Sequence, residues 1–285
     1  MIYSRFGMEI RSKGILFALA GTLLMSLDAV FVRLSGMSGW NTSFLFGSFS
    51  LIAMTFFTWK KEGLANVFKN GWAVIILSGI IMGGSGTNFV LAVKNTAVAN
   101  VVLIMSAVPL FSALLSMVFL KERPSGKTWL AIAFTMIGIF TIVQGSLRYG
   151  GIKGDLLALA TTIFVSLNYV VWRKYPKVSR SMCVGAGGFF IALFSSFGMT
   201  SSDMNLRGIL VMAVMGLLTA PFGRTYISTA ARYITATEIG LYSLLKIMIT
   251  PAIVWAIYGE IPPSATFYGG LILLATISWH MLYKK

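Results

Sequence analysis

Four ionisable side chains fall inside long apolar stretches of this chain, namely Asp28, Arg224, Glu238 and Lys246. Placing a charge at the centre of a bilayer costs about 2.5–3.5 kcal/mol on insertion scales, so such a group normally faces a partner or a polar cavity. Arginine can hold a carboxylate or phosphate through two parallel hydrogen bonds, whereas lysine acts as a point charge. These residues predict a polar binding site in an otherwise apolar protein.

Three of these charges are each compatible with more than one role. Arg224 either holds an anionic group or extends to the cytoplasmic headgroups. Lys246 either contacts a solute, pairs with Asp28 or Glu238, or extends to the membrane surface. Glu238 lies within one turn of a helix start, where we expect it to complement the helix dipole rather than carry protons.

Uncharged polar residues on the central helices complete the predicted site. Each alone is expected to form an interhelical hydrogen bond, but as a set they can line a polar pocket. With the charges, the predicted substrate-binding residues are Asp28, Asn88, Ser106, Asn168, Arg224, Tyr226, Tyr242 and Lys246. A proline inside a helix frees a backbone carbonyl and permits a bend, so three prolines are predicted gating hinges: Pro109, Pro221 and Pro251.

The composition places the chain in a lipid bilayer. Of its 285 residues, 57% are hydrophobic and 11% are charged, which leaves too little polar surface to cover a water-soluble globule. The net charge of +15 comes from Lys and Arg in short loops, which is typical of membrane orientation and not of a nucleic-acid groove. A single cysteine, Cys183, excludes an internal disulfide and a multi-thiolate metal site. Neither a metal nor another cofactor is expected.

The apolar residues form continuous runs, which predict helices, because β-barrel strands would alternate apolar and polar residues. Ten runs are present, at about 14–34, 41–59, 71–93, 97–120, 128–147, 155–173, 181–199, 207–231, 236–258 and 265–282. If both termini are cytoplasmic, seventeen Lys and Arg lie on that side and five outside, namely Arg33, Lys94, Arg148, Lys153 and Arg207. The sequence therefore predicts an all-α, multi-pass protein of the cytoplasmic membrane with ten transmembrane helices.

The chain also contains an internal duplication. Gly14–Arg33 and Gly154–Arg173 are identical at ten of twenty positions with an offset of 140 residues. Later positions correspond with an offset of 138, including Ala92 with Ala230, Lys94 with Arg232, Glu122 with Glu260 and Pro124 with Pro262. Each copy holds five predicted spans, and an odd number threads the second copy through the bilayer in the opposite direction. The predicted units are residues 14–147 and 154–283.

Two segments carry a family resemblance. Residues 95–125, NTAVANVVLIMSAVPLFSALLSMVFLKERPS, and 231–264, ARYITATEIGLYSLLKIMITPAIVWAIYGEIPPS, resemble the fourth and ninth helices of EamA-type transporters of the drug/metabolite transporter superfamily. The resemblance extends from Gly14 to about Leu282 and implies two inverted five-helix repeats that move small organic metabolites. The chain departs from the family at Lys246, where related sequences often carry glutamate after two leucines.

These observations predict a secondary transporter that works by alternating access and takes a small organic solute as its partner. The four charges inside apolar stretches, two acids and two bases, favour a zwitterionic solute such as an amino acid. An anionic solute is the alternative if Asp28 and Glu238 do not face the cavity, and nucleotide-like or cofactor metabolites are further candidates. A channel or a scaffold without a substrate is less compatible with the duplication.

The chain has no P-loop and no catalytic constellation, so we expect neither ATP hydrolysis nor enzyme activity. The sequence leaves the oligomeric state open and is compatible with a monomer.

Overall fold

The computed structural model describes residues 2–61, 63, 71–121, 126–149, 151–230, 233, 242, 245–259, 261 and 264–282. Within these ranges all regular structure is helical. The helices are α1 Ile2–Ser26, α2 Asp28–Leu34, α3 Gly39–Lys61, α4 Trp72–Asn95, α5 Val98–Met105, α6 Val108–Leu120, α7 Gly126–Tyr149, α8 Ile152–Lys174, α9 Arg180–Ser196, α10 Leu206–Val214, α11 Ala220–Ala230, α12 Leu245–Tyr258 and α13 Ser264–Leu282. A short 3-10 helix, Ser201–Asp203, precedes α10. A π-helical segment, Met215–Thr219, joins α10 to α11.

Several of these helices are long and apolar enough to cross a bilayer. Within the described ranges, five stretches qualify: Ser12–Leu34, Gly39–Lys61, Trp72–Asn95, Ile152–Lys174 and Leu206–Ala230. A sixth consists of two helical pieces, Val98–Met105 and Leu110–Leu120, which are bent by 41° relative to each other. Shorter apolar helices cover Trp129–Gln144, Arg180–Ser196, Ile249–Tyr258 and Ser264–Thr276. The predicted all-α membrane class is therefore confirmed, while the ten-span inverted repeat stays a prediction.

Local sequence explains where several helices begin and end. At the start of α9, the Ser179 hydroxyl accepts a hydrogen bond from the Met182 amide at 3.2 Å. At the start of α10, Asn205 Oδ1 accepts from the Gly208 amide at 2.7 Å. Both are N-caps, which satisfy amides that have no partner inside the helix. Lys121 ends α6 in the left-handed conformation, with φ 57°.

Glycines allow several helices to cross at short distance. This is expected in a membrane, because lipid tails provide no hydrophobic driving force for helix association and close packing must replace it. A Cβ added to Gly47 of α3 would lie 2.6 Å from the Gly188 carbonyl oxygen of α9, and one added to Gly188 would lie 2.7 Å from the Gly47 carbonyl oxygen. On α4, Gly79 and Gly83, which lie four residues apart on one helix face, pack against Ala186 and Phe190 of α9. Replacing these glycines would force the backbones apart.

The helix contacts define a central space. Helix α9 lies against both α3 and α4, α4 also lies against α8, α11 lies against α1, and α7 lies against α13. The largest buried apolar cluster includes Val32 of α2, Val90 of α4 and Ile104 of α5. Beside it, α3, α4, α9 and α11 surround a narrow cavity that contains Arg224.

Candidate functional site

Asp28 lies at an interruption of the first span. Helix α1 ends at Ser26 and α2 begins at Asp28, with Leu27 between them. The Thr250 hydroxyl of α12 donates a hydrogen bond to the Ser26 carbonyl at 2.9 Å, so α12 is attached to this interruption. The Asp28 side chain is 3% exposed and stands in the first turn of α2. The break thus brings a carboxylate into the protein interior.

Arg224 follows a second irregular segment. The π-helical residues Met215–Thr219 lead directly into α11, and Pro221 stands in its first turn. Proline cannot donate a backbone hydrogen bond, and π-helical segments occur frequently at functional sites. Arg224 lies three residues beyond Pro221, so the direction of its side chain depends on how the π-helical segment sets the rotation of α11.

The Arg224 guanidinium makes two contacts of different kinds. Its Nη2 atom lies 3.8 Å from Asp28 Oδ2, and the two side chains are 18% and 4% exposed. Its Cζ atom lies 5.1 Å from the centre of the Phe46 ring, within cation–π range. The other carboxylate oxygen, Asp28 Oδ1, is buried and has no hydrogen-bond partner within the part of the chain that the structure describes. Asp28 therefore has one long ion pair and one unsatisfied acceptor.

Lys246 of α12 is the second cation near Asp28. It is close enough for electrostatic interaction with both Asp28 and Arg224. Among the described residues, the cluster of Asp28, Arg224 and Lys246 holds one acid and two bases. Glu238, the fourth predicted charge, lies outside the described residues, so the balance of two acids and two bases stays a prediction.

The cavity beside this cluster is small, with a volume of about 10 Å³, which is space for about one water molecule. Among its lining residues Arg224 is the charged one, whereas Asp28 and Lys246 do not line it. Two serines supply hydroxyl groups: Ser50 donates to the Gly216 carbonyl at 3.3 Å, and Ser85 donates to the Met82 carbonyl at 3.0 Å. The complete lining consists of Phe46, Ser50, Met82, Ser85, Gly86, Val184, Gly188, Ile191 and Arg224. Such a surface can bind an anionic group through Arg224 and apolar parts elsewhere.

Sequence reasoning did not identify Phe46, Ser50 or Ser85. Their residue types carry no distinctive signal, because the chain contains 21 phenylalanines and serines commonly bond to their own helix. Ser85 stands between Gly84 and Gly86 in a small-residue stretch, which is the one hint that a space opens there.

Other predicted site residues lie away from the cavity lining. Tyr226 packs against Phe17, with ring centres 5.7 Å apart, and Tyr242 packs against a cluster of Ala18, Ile227 and Ala230. Asn88 is half-buried on α4. The structure brings together Asp28, Arg224 and Lys246 but not these three.

Two further predicted residues make internal hydrogen bonds. Asn168 Oδ1 accepts from the Ser78 hydroxyl at 2.7 Å, and that hydroxyl accepts from Trp172 Nε1 at 2.9 Å. Ser106 donates to the Leu103 carbonyl at 2.6 Å in the gap between α5 and α6. These contacts support helix geometry, and a substrate role for either residue stays a prediction.

The predicted hinge prolines occupy three different settings. Pro109 stands in the first turn of α6, just after the gap that separates it from α5, rather than inside a continuous helix. Pro221 follows the π-helical segment, and Pro251 is inside α12. Each marks an irregular or weakened backbone, and movement at these points stays a prediction.

A second buried polar cluster, which sequence reasoning missed, surrounds Asp155 at the start of α8. The Thr96 hydroxyl donates to Asp155 Oδ1 at 2.7 Å, and Asn100 Nδ2 donates to the same oxygen at 3.1 Å. Thr266 of α13 donates to Asn100 Oδ1. The cluster joins α5, α8 and α13 through neutral donors, and it fits a structural role.

Comparison with known proteins agrees with the sequence interpretation. Residues 12–144 match the EamA-like transporter family. The uncharacterized transporter YyaM of Bacillus subtilis strain 168 is 26% identical over 225 residues, which cover 74% of this chain and 73% of the relative. An S-adenosylmethionine uptake transporter of Rickettsia felis is 22% identical over 89% of this chain and 82% of the relative.

The fold also has a counterpart of known structure. A crystal structure of another protein superposes with a TM-score of 0.66 over 95% of this chain and 98% of that one, at 16% sequence identity. At this identity the likeness concerns the fold alone. The resemblance predicted from the two quoted segments is confirmed, because residues 12–144 match the EamA-like transporter family and similar proteins are named as transporters.

Proposed function

We propose that this protein is a secondary carrier of small organic metabolites with an amino-acid head group, a carboxylate beside an ammonium. The observation that carries the proposal is the position of Arg224, a half-buried guanidinium that lines a narrow cavity next to Phe46. In this proposal Arg224 binds the carboxylate of the solute, because guanidinium and carboxylate form charge-assisted bidentate hydrogen bonds. Asp28 does not line the cavity and pairs with the same guanidinium at 3.8 Å, so it balances part of the charge of Arg224.

The relatives support the same class of solute. S-adenosylmethionine, named for the Rickettsia transporters, carries an amino-acid carboxylate and ammonium. The cavity of about 10 Å³ is far smaller than the ~300–1,000 Å³ of usual small-molecule sites, so solute binding requires the helices to separate. Alternating access supplies such a movement.

The proposal includes ten spans in two inverted repeats, with both termini in the cytoplasm. Two helix crossings support it. With the repeat offsets of 140 and 138, Gly21 corresponds to Thr161 and Ser85 corresponds to Gly223. A Cβ on Gly21 would lie 2.8 Å from the Gly223 carbonyl oxygen, and the Thr161 hydroxyl lies 3.4 Å from the Ser85 carbonyl oxygen. Both contacts join one half to the other and use equivalent positions, as a pseudo-two-fold axis requires.

Anionic solutes are a second candidate. Among the described residues that line the cavity Arg224 alone is charged, and the nearby cluster carries an excess of one positive charge. This arrangement favours a carboxylate without requiring an ammonium. The two candidates differ in whether the solute must carry an ammonium group.

Uptake by purified protein in proteoliposomes tests both candidates. We expect saturable uptake and counterflow of S-adenosylmethionine or L-methionine, and a loss of at least about tenfold in Arg224→Gln, since a hydrogen bond to a charged group contributes about 1.5–3 kcal/mol. Arg207→Gln, an exposed arginine on the same span, is the matched control. Uptake of lactate in preference to both zwitterions would favour the anionic candidate. Unchanged uptake by Arg224→Gln would contradict the proposed site.

A further inference from the structure

Asp28 interacts with two cations but pairs directly with one of them. Its Oδ2 atom is 3.8 Å from Arg224 Nη2, a long distance for an ion pair, and its Oδ1 atom has no hydrogen-bond partner among the described residues. The carboxylate is therefore held loosely for a buried group.

Lys246 is placed to be the alternative partner. Residues four apart lie on the same face of a helix, so Lys246 and Thr250 share one face of α12. The Thr250 hydroxyl donates to the Ser26 carbonyl, two residues before Asp28, which directs that face towards the interruption of the first span. No hydrogen bond from the Lys246 ammonium to another of the described residues is present in this state.

Arg224 connects this cluster with the cavity. A solute carboxylate that binds the guanidinium competes with Asp28 for the same N–H groups, because a bidentate contact occupies two of them. A buried carboxylate left without a cation is strongly unfavourable, so Asp28 then requires another positive charge. Lys246 is the other cation that interacts with Asp28.

We propose that solute binding transfers Asp28 from Arg224 to Lys246, so that Lys246 couples binding to movement between the first span and α12. The inference rests on the proposed function, since it needs a solute carboxylate at Arg224. Lys246 acts here as a positioning residue that does not touch the solute. Its loss should slow the conformational step and leave solute affinity nearly intact.

The test separates binding from transport in Lys246→Gln, with Lys246→Arg as the charge-preserving variant and Lys153→Gln as an exposed control. The probe is radiolabelled S-adenosylmethionine, measured by equilibrium binding and by initial uptake rates in proteoliposomes. We expect Lys246→Gln to change the Kd by less than threefold and to lower the maximal rate at least tenfold. Lys246→Arg should recover most of that rate.

Two results would overturn the inference while leaving the proposed function intact. A rise of tenfold or more in the Kd of Lys246→Gln would place the lysine in contact with the solute. Normal uptake by this variant would remove Lys246 from the mechanism. Absence of probe binding by the wild-type protein would instead contradict the proposed function, and the exchange with it.

Thermal unfolding without solute provides a second readout in case a single variant folds poorly. A double-mutant cycle of Asp28→Asn with Arg224→Gln should show strongly non-additive shifts in Tm, and the cycle with Lys246→Gln should be close to additive. In saturating S-adenosylmethionine, the cycle of Asp28→Asn with Lys246→Gln should instead show strongly non-additive shifts in Tm. Without solute, a coupling energy of Asp28 with Lys246 that exceeds its coupling energy with Arg224 would overturn the proposed exchange of partners.

Discussion

The half-buried Arg224 guanidinium contacts two partners, a carboxylate and an aromatic ring. Asp28 supplies charge at 3.8 Å, whereas the Phe46 ring supplies a polarisable face at 5.1 Å and no competing acceptor. The aromatic contact therefore orients the guanidinium without consuming its N–H groups. These groups stay available to a solute in the cavity.

Replacing Phe46 with leucine should weaken solute binding and leave the fold intact. A cation–π contact contributes about 0.5–2 kcal/mol, so we expect Phe46→Leu to raise the KM for S-adenosylmethionine by roughly fivefold at an unchanged maximal rate. Phe56→Leu is the control, because Phe56 lies on the same helix but is 54% exposed and faces away from the cavity. A KM equal to that of the wild type would show that the ring does not orient Arg224.

At this scale the sequence reveals charges but not their surroundings. Asp28, Arg224 and Lys246 were identified because an ionisable group inside an apolar run is costly and needs a partner. Phe46 and Ser85 lie on different helices, and which of their faces meet depends on helix rotation and crossing, which a single sequence does not specify. Asn168, which corresponds to Asp28 in the second repeat, is instead bonded to Ser78.

At the scale of helices, the irregular segments lie close to the functional residues. Leu27 interrupts the helix between α1 and α2, Ser106 and Ala107 separate α5 from α6, and a π-helical segment joins α10 to α11. Pro109 and Pro221 indicate two of these three places in the sequence. Nothing in the residues around Leu27 predicts the first break, because it depends on tertiary contacts such as the hydrogen bond from Thr250.

The paired glycines of α3 and α9 allow a direct test of helix packing. Gly188→Ala would place a methyl group 2.6 Å from the Leu51 amide nitrogen and 2.7 Å from the Gly47 carbonyl oxygen. Because these atoms belong to the backbone, we expect a loss of about 1–3 kcal/mol in stability, measured as a lower Tm in detergent. Gly126→Ala is the control, since a Cβ there meets no atom within 4 Å. Equal Tm values for the two variants would contradict the close approach of α3 and α9.

At the scale of the whole molecule, the duplication and the charge distribution predict the same topology by independent routes. Five spans in each half require opposite insertion, and the excess of Lys and Arg on one side places both termini in the cytoplasm. The single native cysteine, Cys183, is fully buried, which gives a low background for labelling introduced cysteines. Lys61 and Lys153 are exposed positions predicted to face the cytoplasm and the outside, respectively.

We therefore expect Lys153→Cys, but not Lys61→Cys, to react with a membrane-impermeant maleimide in intact spheroplasts, and both to react after permeabilisation. The physical reason is that in the predicted topology the span Ile152–Lys174 begins at the outer side, whereas Gly39–Lys61 ends at the inner side. Gel-shift of the labelled protein provides the measurement, and the unmodified chain should show no shift. Labelling of both positions in intact spheroplasts would place residues 61 and 153 on the same side. The opposite insertion of the two repeats, and with it the alternating-access mechanism, would then be wrong.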